Sequence, residues 1–258
     1  MFTKAYITSQ SQLLAVPASE RWKYYLDRKL LQTIVHFSDD DDPMVTRRDI
    51  EKAGIACEPF WEDTAGYLDN EGKAFQRYRQ MHPEFDICIR KRALERLLQA
   101  QKILGAQAQI VIKAAYRPLA VQRDVFNAEL TVVRSARPEW SEKQSRAYLL
   151  EYVTDPEVYL PPHASGGTVD IVLKHPRSNE LLDMGVPVNS VDDRSWTANM
   201  DGLTSEQKNN RKFITKTMLQ AGFANLASEW WHYSFGDQRW AVFYSKAEAL
   251  YSTPEGLK

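Results

Sequence analysis

The sequence predicts an α+β fold, a small antiparallel or mixed sheet backed by helices. Three observations predict it. Apolar residues recur at helical spacing over 89–104, and 204–221 is bounded by helix caps. Short apolar runs with strand character lie at 108–114 and 169–173. Two further aromatic runs, 231–235 and 240–244, are separated by turn-forming residues, as in a hairpin. Helices mixed with hairpin-linked strands bury their apolar faces by packing on one sheet.

The elements follow in chain order. Ala18 to Ile34 has helical composition and spacing, and Thr46 to Gly54 reads as a second helix. The run Ser38-Asp39-Asp40-Asp41-Asp42-Pro43 lacks the alternating ligands and central glycine of a calcium loop, so it reads as a solvated turn or an N-cap. Trp61 to Pro83 is aromatic and charged and shows no clear period. Ile89 to Leu104 sets Leu94, Leu97, Leu98, Ile103 and Leu104 on one helical face and stops at Gly105. Ala108 to Ala114, with Ile110, Val111 and Ile112, is a buried strand. Pro118 suits a first helical turn, so Leu119 to Arg134 is helical. Ser141 caps a helix running to about Tyr152. Val169, Ile171 and Leu173 alternate with Asp170 and Val172, a strand with one core face. Thr204 to Ala221 is a helix capped by Thr204 or Ser205 and closed by Gly222. Trp231–Phe235 and Trp240–Tyr244 are strands joined by Gly236-Asp237-Gln238-Arg239.

A chain of 258 residues, 43% hydrophobic, can bury a real core. Residues 1–85 are expected to form an N-terminal extension that packs on the core. Residues 86–258 form that core, and the two make one compact domain. Charge is balanced, 33 Lys and Arg against 34 Asp and Glu, so nothing asks for nucleic acid or an anionic membrane. No stretch approaches the roughly 20 apolar residues of a membrane span. The N-terminus has no clean apolar run before a cleavage site, which reads as a cytoplasmic protein. Cys57 and Cys88 are too few for a disulfide scaffold and read as reduced, mostly buried thiols.

Two of the five histidines have neighbours that suggest a metal. His163 sits in a Pro- and Gly-bounded loop, Pro161-Pro162-His163-Ala164-Ser165-Gly166-Gly167, and Asp170 follows on the strand this loop feeds. A carboxylate beside a core needs a partner, and a cation is one, a salt bridge another. Glu229 and His232 lie three apart in Ser228-Glu229-Trp230-Trp231-His232-Tyr233. In a straight strand they would face opposite sides, so both reach one site only if the chain bends near Trp230. His163, Asp170 and His232 together make a zinc site with a fourth position left for water. Glu229, which is not a ligand, is then the candidate general base. Arg117, where a strand gives way to a helix, fits an oxyanion stabiliser or a structural arginine. Trp230 and Trp231 fit either cavity lining or core. His36, His82 and His175 are not expected to bind the metal.

At these residues the sequence resembles the D-alanyl-D-alanine dipeptidase (VanX-type) family of zinc D-Ala-D-Ala peptidases. That family carries Ser-x-His-x-x-Gly-x-Ala-x-Asp and a later Glu-x-x-His. His163, Gly166 and Asp170 match the first, and Glu229 and His232 the second. Tyr116-Arg117-Pro118, Asp183-Met184-Gly185, Ala221-Gly222-Phe223 and the Glu-Trp-Trp-His form also resemble family segments, over about Asp86 to Phe243. The resemblance implies one Zn²⁺ per chain at the sheet centre, held by His163, Asp170 and His232, with Glu229 as base and Arg117 on the oxyanion. It implies a small dipeptide, D-Ala-D-Ala or a similar D-containing one, and a role in peptidoglycan precursor turnover. Tyr116, Ser165 and Trp231 are the candidate substrate contacts. Pro161 stands where the family usually has Ser and Thr168 where it has Ala, so the match does not fix the exact dipeptide. A D,D-carboxypeptidase of longer cell-wall peptides is the rival enzyme, and it needs an open groove. A non-catalytic zinc-containing binding module would usually have lost Glu229 or a ligand. A structural zinc site would be expected to have four protein ligands with Cys among them.

Overall fold

The computed structural model describes residues 1–38, 41–62 and 69–254. Asp39 and Asp40 of the acidic run, and part of the unassigned stretch after Trp61, lie outside these.

The chain opens with β1 (Tyr6–Ile7), α1 (Gln10–Ala15), β2 (Tyr25–Leu26) and α2 (Arg28–Leu31). The single helix expected over Ala18–Ile34 is broken. A 3₁₀ segment, Ala18–Lys23, gives way to β2, which pairs in parallel with β1, and Asp27 recaps the chain into α2. Adjacent Tyr24 and Tyr25 favour the extended backbone, and a partner strand was at hand. Next come β3 (Met44–Thr46), α3 (Arg47–Lys52), β4 (Ala56–Cys57) and α4 (Asn70–Met81). Thr46 caps α3 through a reciprocal capping box. α4, capped by Asp69, occupies most of the stretch that showed no clear period.

β5 (Cys88–Arg90) pairs antiparallel with β3, so the next helix, α5 (Lys91–Leu104), starts two residues later than its periodicity suggested. Arg90 offers α5 no side-chain cap. Asp42 does so from a distance, taking the Arg92 N–H at 3.2 Å. The last acidic residue of the run therefore caps a helix fifty residues on, and it is buried.

The remaining elements are β6 (Gln109–Ala114), α6 (Leu119–Ala136), α7 (Glu142–Leu149), β7 (Val169–Lys174), α8 (Ser205–Gln220), β8 (Ala224–Asn225), β9 (His232–Ser234) and α9 (Gln238–Phe243). Five strands form the main sheet in the order β4-β6-β7-β9-β8. Only β4–β6 is parallel, so the sheet is mixed. β7 is its middle strand, and all six of its residues are buried. The expectation of a single core face fails because both faces of a central strand are covered.

The second strand of the expected hairpin is a helix, α9. Gly236 turns the chain at φ +75°, and Asp237 accepts the Trp240 N–H at 2.8 Å, an N-cap that starts a helix. Ala241, Val242 and Phe243 bury against Ile7, Leu13, Leu30 and Leu31 of the N-terminal segment. The main core lies between the sheet and α5, α6 and α8, with Ile50, Ile55, Trp61 and Phe75 packed into it. Cys57 and Cys88 are free thiols.

Candidate metal centre

Register brings the first two candidate ligands together. Asp170 on β7 lies opposite His232 on β9. Directly opposed residues of an antiparallel pair project to the same face. Oδ1 of Asp170 is 3.1 Å from Nδ1 of His232. The third ligand arrives on the 3₁₀ turn Pro162–Ser165, which ends at Gly166 in the left-handed region (φ +76°). Gly167 follows for a different reason: a Cβ there would stand 2.0 Å from the Phe235 carbonyl oxygen. The two glycines thus let the turn lie flat against the end of β9. His163 then places Nε2 3.1 Å from Oδ2 of Asp170.

One candidate ligand atom from each of the three side chains lies within 4.8 Å of the others. Each is at most 4% exposed. Nδ1 of His163 is 2.7 Å from the carbonyl oxygen of Ala115, just past β6. A carbonyl only accepts, so Nδ1 holds the proton and Nε2 offers its lone pair to the cradle. Oδ1 of Asp170 is buried, and the polar group nearest it is Nδ1 of His232 at 3.1 Å. Burial alone would raise the Asp170 carboxyl, but the two histidines, His163 foremost, outweigh it and hold it below the usual range. Burial lowers His232 to about 4, against the pull of Asp170, so its imidazole is neutral at pH 7. Two imidazoles and an ionised carboxylate, buried together, are a donor set that fits a divalent transition-metal ion such as zinc.

Glu229 leaves the turn just before β9 begins, so the bend near Trp230 is present. Its Oε2 is 3.5 Å from Nδ1 of His232. Burial, and then the charge of Asp170, push its carboxyl well above the ordinary value. It lines a cavity with His163, Asp170, His232, Arg117, Glu71 and Trp231. Water-reachable space there is about 60 Å³. At ~10–15 Å³ per water that is a few molecules, a space for a small ligand.

Arg117 is buried at the mouth of β6, where its backbone N–H donates to the His163 carbonyl at 3.2 Å. Its Nη1 donates to Gln122 Oε1 at 2.9 Å and its Nη2 to Glu71. Trp231 reaches the cavity, while Trp230 packs in the main core. Tyr116 and Ser165 do not line it. Tyr116 packs beside Phe85, and Ser165 is fully buried, its hydroxyl donating to the Pro162 carbonyl at 2.6 Å. His36 and His175 are exposed, and His82 stacks on Tyr78, all outside the cradle.

Residues that sequence reasoning did not single out also meet here. Glu71, Asp69 and Asn189 line the same cavity. Glu71 lies in the stretch without a clear period, and nothing local in the sequence points it inwards. Thr168, one of the two departures from the motif, donates to Asp237 Oδ2 at 2.7 Å and so ties the metal turn to the cap of α9.

A buried cradle of two imidazoles and a carboxylate, with a further carboxyl beside it, defines the class: an α+β protein with three buried side chains placed so that they could hold a metal ion. The chain belongs to the D-ala-D-ala dipeptidase family of peptidases M15, whose family model matches residues 73–249. It is 29% identical over 181 residues to the D-alanyl-D-alanine dipeptidase of Synechocystis, covering 61% of this chain and 73% of that protein. The Enterococcus faecalis D-alanyl-D-alanine dipeptidase is 35% identical over 76 residues, 30% of this chain and 37% of that one. The Escherichia coli D-alanyl-D-alanine dipeptidase is 27% identical over 110 residues, 41% and 54% of the two chains. The matched stretch thus spans little more than a third of the Enterococcus protein.

Proposed function

We propose that this protein is a zinc-dependent dipeptidase that hydrolyses D-Ala-D-Ala or a similar D-containing dipeptide. The observation that carries the proposal is the Glu229 carboxyl standing beside the His163–Asp170–His232 cradle in one small cavity. His163, Asp170 and His232 would hold one Zn²⁺ per chain. When bound, zinc lowers the pKa of a coordinated water towards about 7 and polarises the scissile carbonyl.

The rest of the chemistry belongs to the chain. Glu229 takes a proton from the attacking water and later gives it to the leaving amine. Its raised proton affinity, caused by burial and by Asp170, suits that double role. Arg117 presents its guanidinium to the cavity, where a fork of donors stabilises a developing oxyanion. Trp231 closes one wall and limits water, which strengthens each charge interaction inside.

Family membership supports peptide hydrolysis, and the small cavity favours a dipeptide over a longer cell-wall peptide. Such a substrate places the protein in peptidoglycan precursor turnover, in the cytoplasm. No helix among the described residues is long and apolar enough to cross a membrane.

The test is release of free D-Ala from D-Ala-D-Ala by zinc-loaded protein, beside Glu229→Gln and a longer D-Ala-D-Ala-ended peptide. The parent should act on the dipeptide. The variant should keep its zinc and lose about 10³-fold in kcat. Cleavage of the longer peptide alone would favour the carboxypeptidase, and equal activity in the variant would remove Glu229 as base.

A further inference from the structure

Arg117 sits between carboxylates with different duties. Its Nη2 pairs with Oε1 of Glu71, and the same nitrogen is 4.0 Å from Oδ2 of Asp170. All three side chains are more than nine-tenths buried. In a site that excludes water, a guanidinium moves to whichever carboxylate it can reach best. Oδ2 of Asp170 also faces Nε2 of His163 in the metal cradle. A guanidinium resting there would compete with a cation for that oxygen.

We propose that Glu71 is a positioning residue: it holds the Arg117 guanidinium over the cavity and keeps it off Asp170, so that the cradle carboxylate stays available to a cation. The inference rests on the zinc reading above. Glu71 precedes the stretch that the family match covers.

The support around Glu71 is built for holding. It lies in the first turn of α4, where helix N–H groups favour a carboxylate. Its Oε2 accepts from Asn189 Nδ2 at 3.4 Å, and the same amide donates to Asp69 Oδ2 at 2.7 Å. Asp69 in turn caps α4 by accepting the Gly72 N–H at 2.8 Å. On the other side, Gln122 takes Nη1 of Arg117 and is itself fixed by donating to the Thr154 carbonyl at 2.7 Å. Two acceptors from two helices, α4 and α6, therefore draw the guanidinium away from the cradle. Burial pushes the Glu71 carboxyl up to about 7, with Arg117 opposing. A cation in the cradle adds positive charge nearby and favours the ionised form that the pair needs.

The experiment compares zinc affinity, by competition with a chromogenic chelator, in the parent, Glu71→Ala, Glu71→Gln, Arg117→Ala and the double variant Glu71→Ala/Arg117→Ala. kcat and KM for D-Ala-D-Ala are measured alongside. Glu71→Ala should weaken zinc binding about tenfold or more, the scale of lost ligand support. Its kcat should fall about 10²-fold with KM little changed, because the Arg117 contact matters most as charge develops. Glu71→Gln keeps an acceptor oxygen and should recover part of both losses. The double variant should bind zinc as Arg117→Ala does, because the competing guanidinium is gone, and should turn over no slower than that single variant. Parent-like zinc binding in Glu71→Ala would overturn the proposal. So would a double variant as weak as Glu71→Ala, since Glu71 would then act on the fold and not through Arg117. Circular dichroism of Glu71→Gln checks that the fold is intact. A parent that binds zinc but releases no D-Ala would sink the substrate reading alone, and the affinity comparison would still decide the role of Glu71. A parent without zinc affinity would overturn the metal reading and this proposal together.

Discussion

Thr168 shows what a single departure from a motif can do. The matched family usually has Ala at this position, which packs but makes no polar contact. Here the hydroxyl is fully buried and donates to Asp237, whose other carboxylate oxygen caps α9. Thr168→Ala should leave Asp237 one partner short in a buried place. That costs about 1–2 kcal/mol, the loss of one hydrogen bond to a charged acceptor. Urea unfolding of the zinc-free protein should show it as a lower midpoint with unchanged slope. Zinc affinity should stay as in the parent, because the cradle atoms are untouched. An unchanged midpoint would mean that the hydroxyl is incidental. Asp170 was legible because it interrupts an apolar run, Glu229 and His232 because they flank a pair of tryptophans, and His163 because its Pro- and Gly-bounded loop feeds the strand of Asp170; a polar group beside a core needs a reason. Thr168 and Glu71 break no run. Their partners, Asp237 and Arg117, are 69 and 46 residues away, so no local pattern announces them.

At the scale of elements, the long helices α5, α6 and α8 and the strands β6 and β7 followed from periodicity and caps, because those signals are local. The misreadings share a cause. Ala18–Ile34 and Trp240–Tyr244 are short aromatic segments, where propensity is weak and the neighbour decides: β1 recruits β2, and the Asp237 cap converts the last run to α9. α8 also carries an element-scale device that sequence gave no hint of. Arg211 is completely buried, and its guanidinium donates to the carbonyl oxygens of Met184 (2.7 Å), Arg194 (2.8 Å), Trp196 (2.9 Å) and Asn199 (3.0 Å). It organises the irregular segment 184–199, which brings Asn189 to the cavity. Arg211→Met should cost about 3 kcal/mol or more, since several buried carbonyls lose a charged donor at once. Hydrogen exchange should rise over 184–199 before it rises in β7. Uniform exchange along the chain would assign Arg211 to global stability only.

For the whole molecule, the question is whether residues 86–258 stand alone. The N-terminal part supplies β4 to the main sheet, and Ile50, Ile55, Trp61 and Phe75 to the main core. It covers α9 with Ile7, Leu13, Leu30 and Leu31, and Asp42 caps α5. Glu71 brings it into the metal-side cavity itself. Removing it would uncover the partners of all these side chains and leave β6 an open edge. Each 200 Å² of apolar surface returned to water costs about 5 kcal/mol. Total stabilities are only about 5–15 kcal/mol, so two or three such patches exhaust the margin. A fragment of residues 86–258 should therefore lack fixed tertiary structure, seen as loss of its near-ultraviolet circular dichroism and as aggregation through the exposed edge of β6. It should also fail to retain zinc at concentrations that saturate the full chain, because the cradle needs strands held in register. A fragment that folds and binds zinc would make 86–258 an autonomous unit. The N-terminal segment would then be an attachment whose one contribution to the site is the Glu71 carboxylate, and adding Glu71→Ala to the full chain would reproduce the zinc affinity of the fragment.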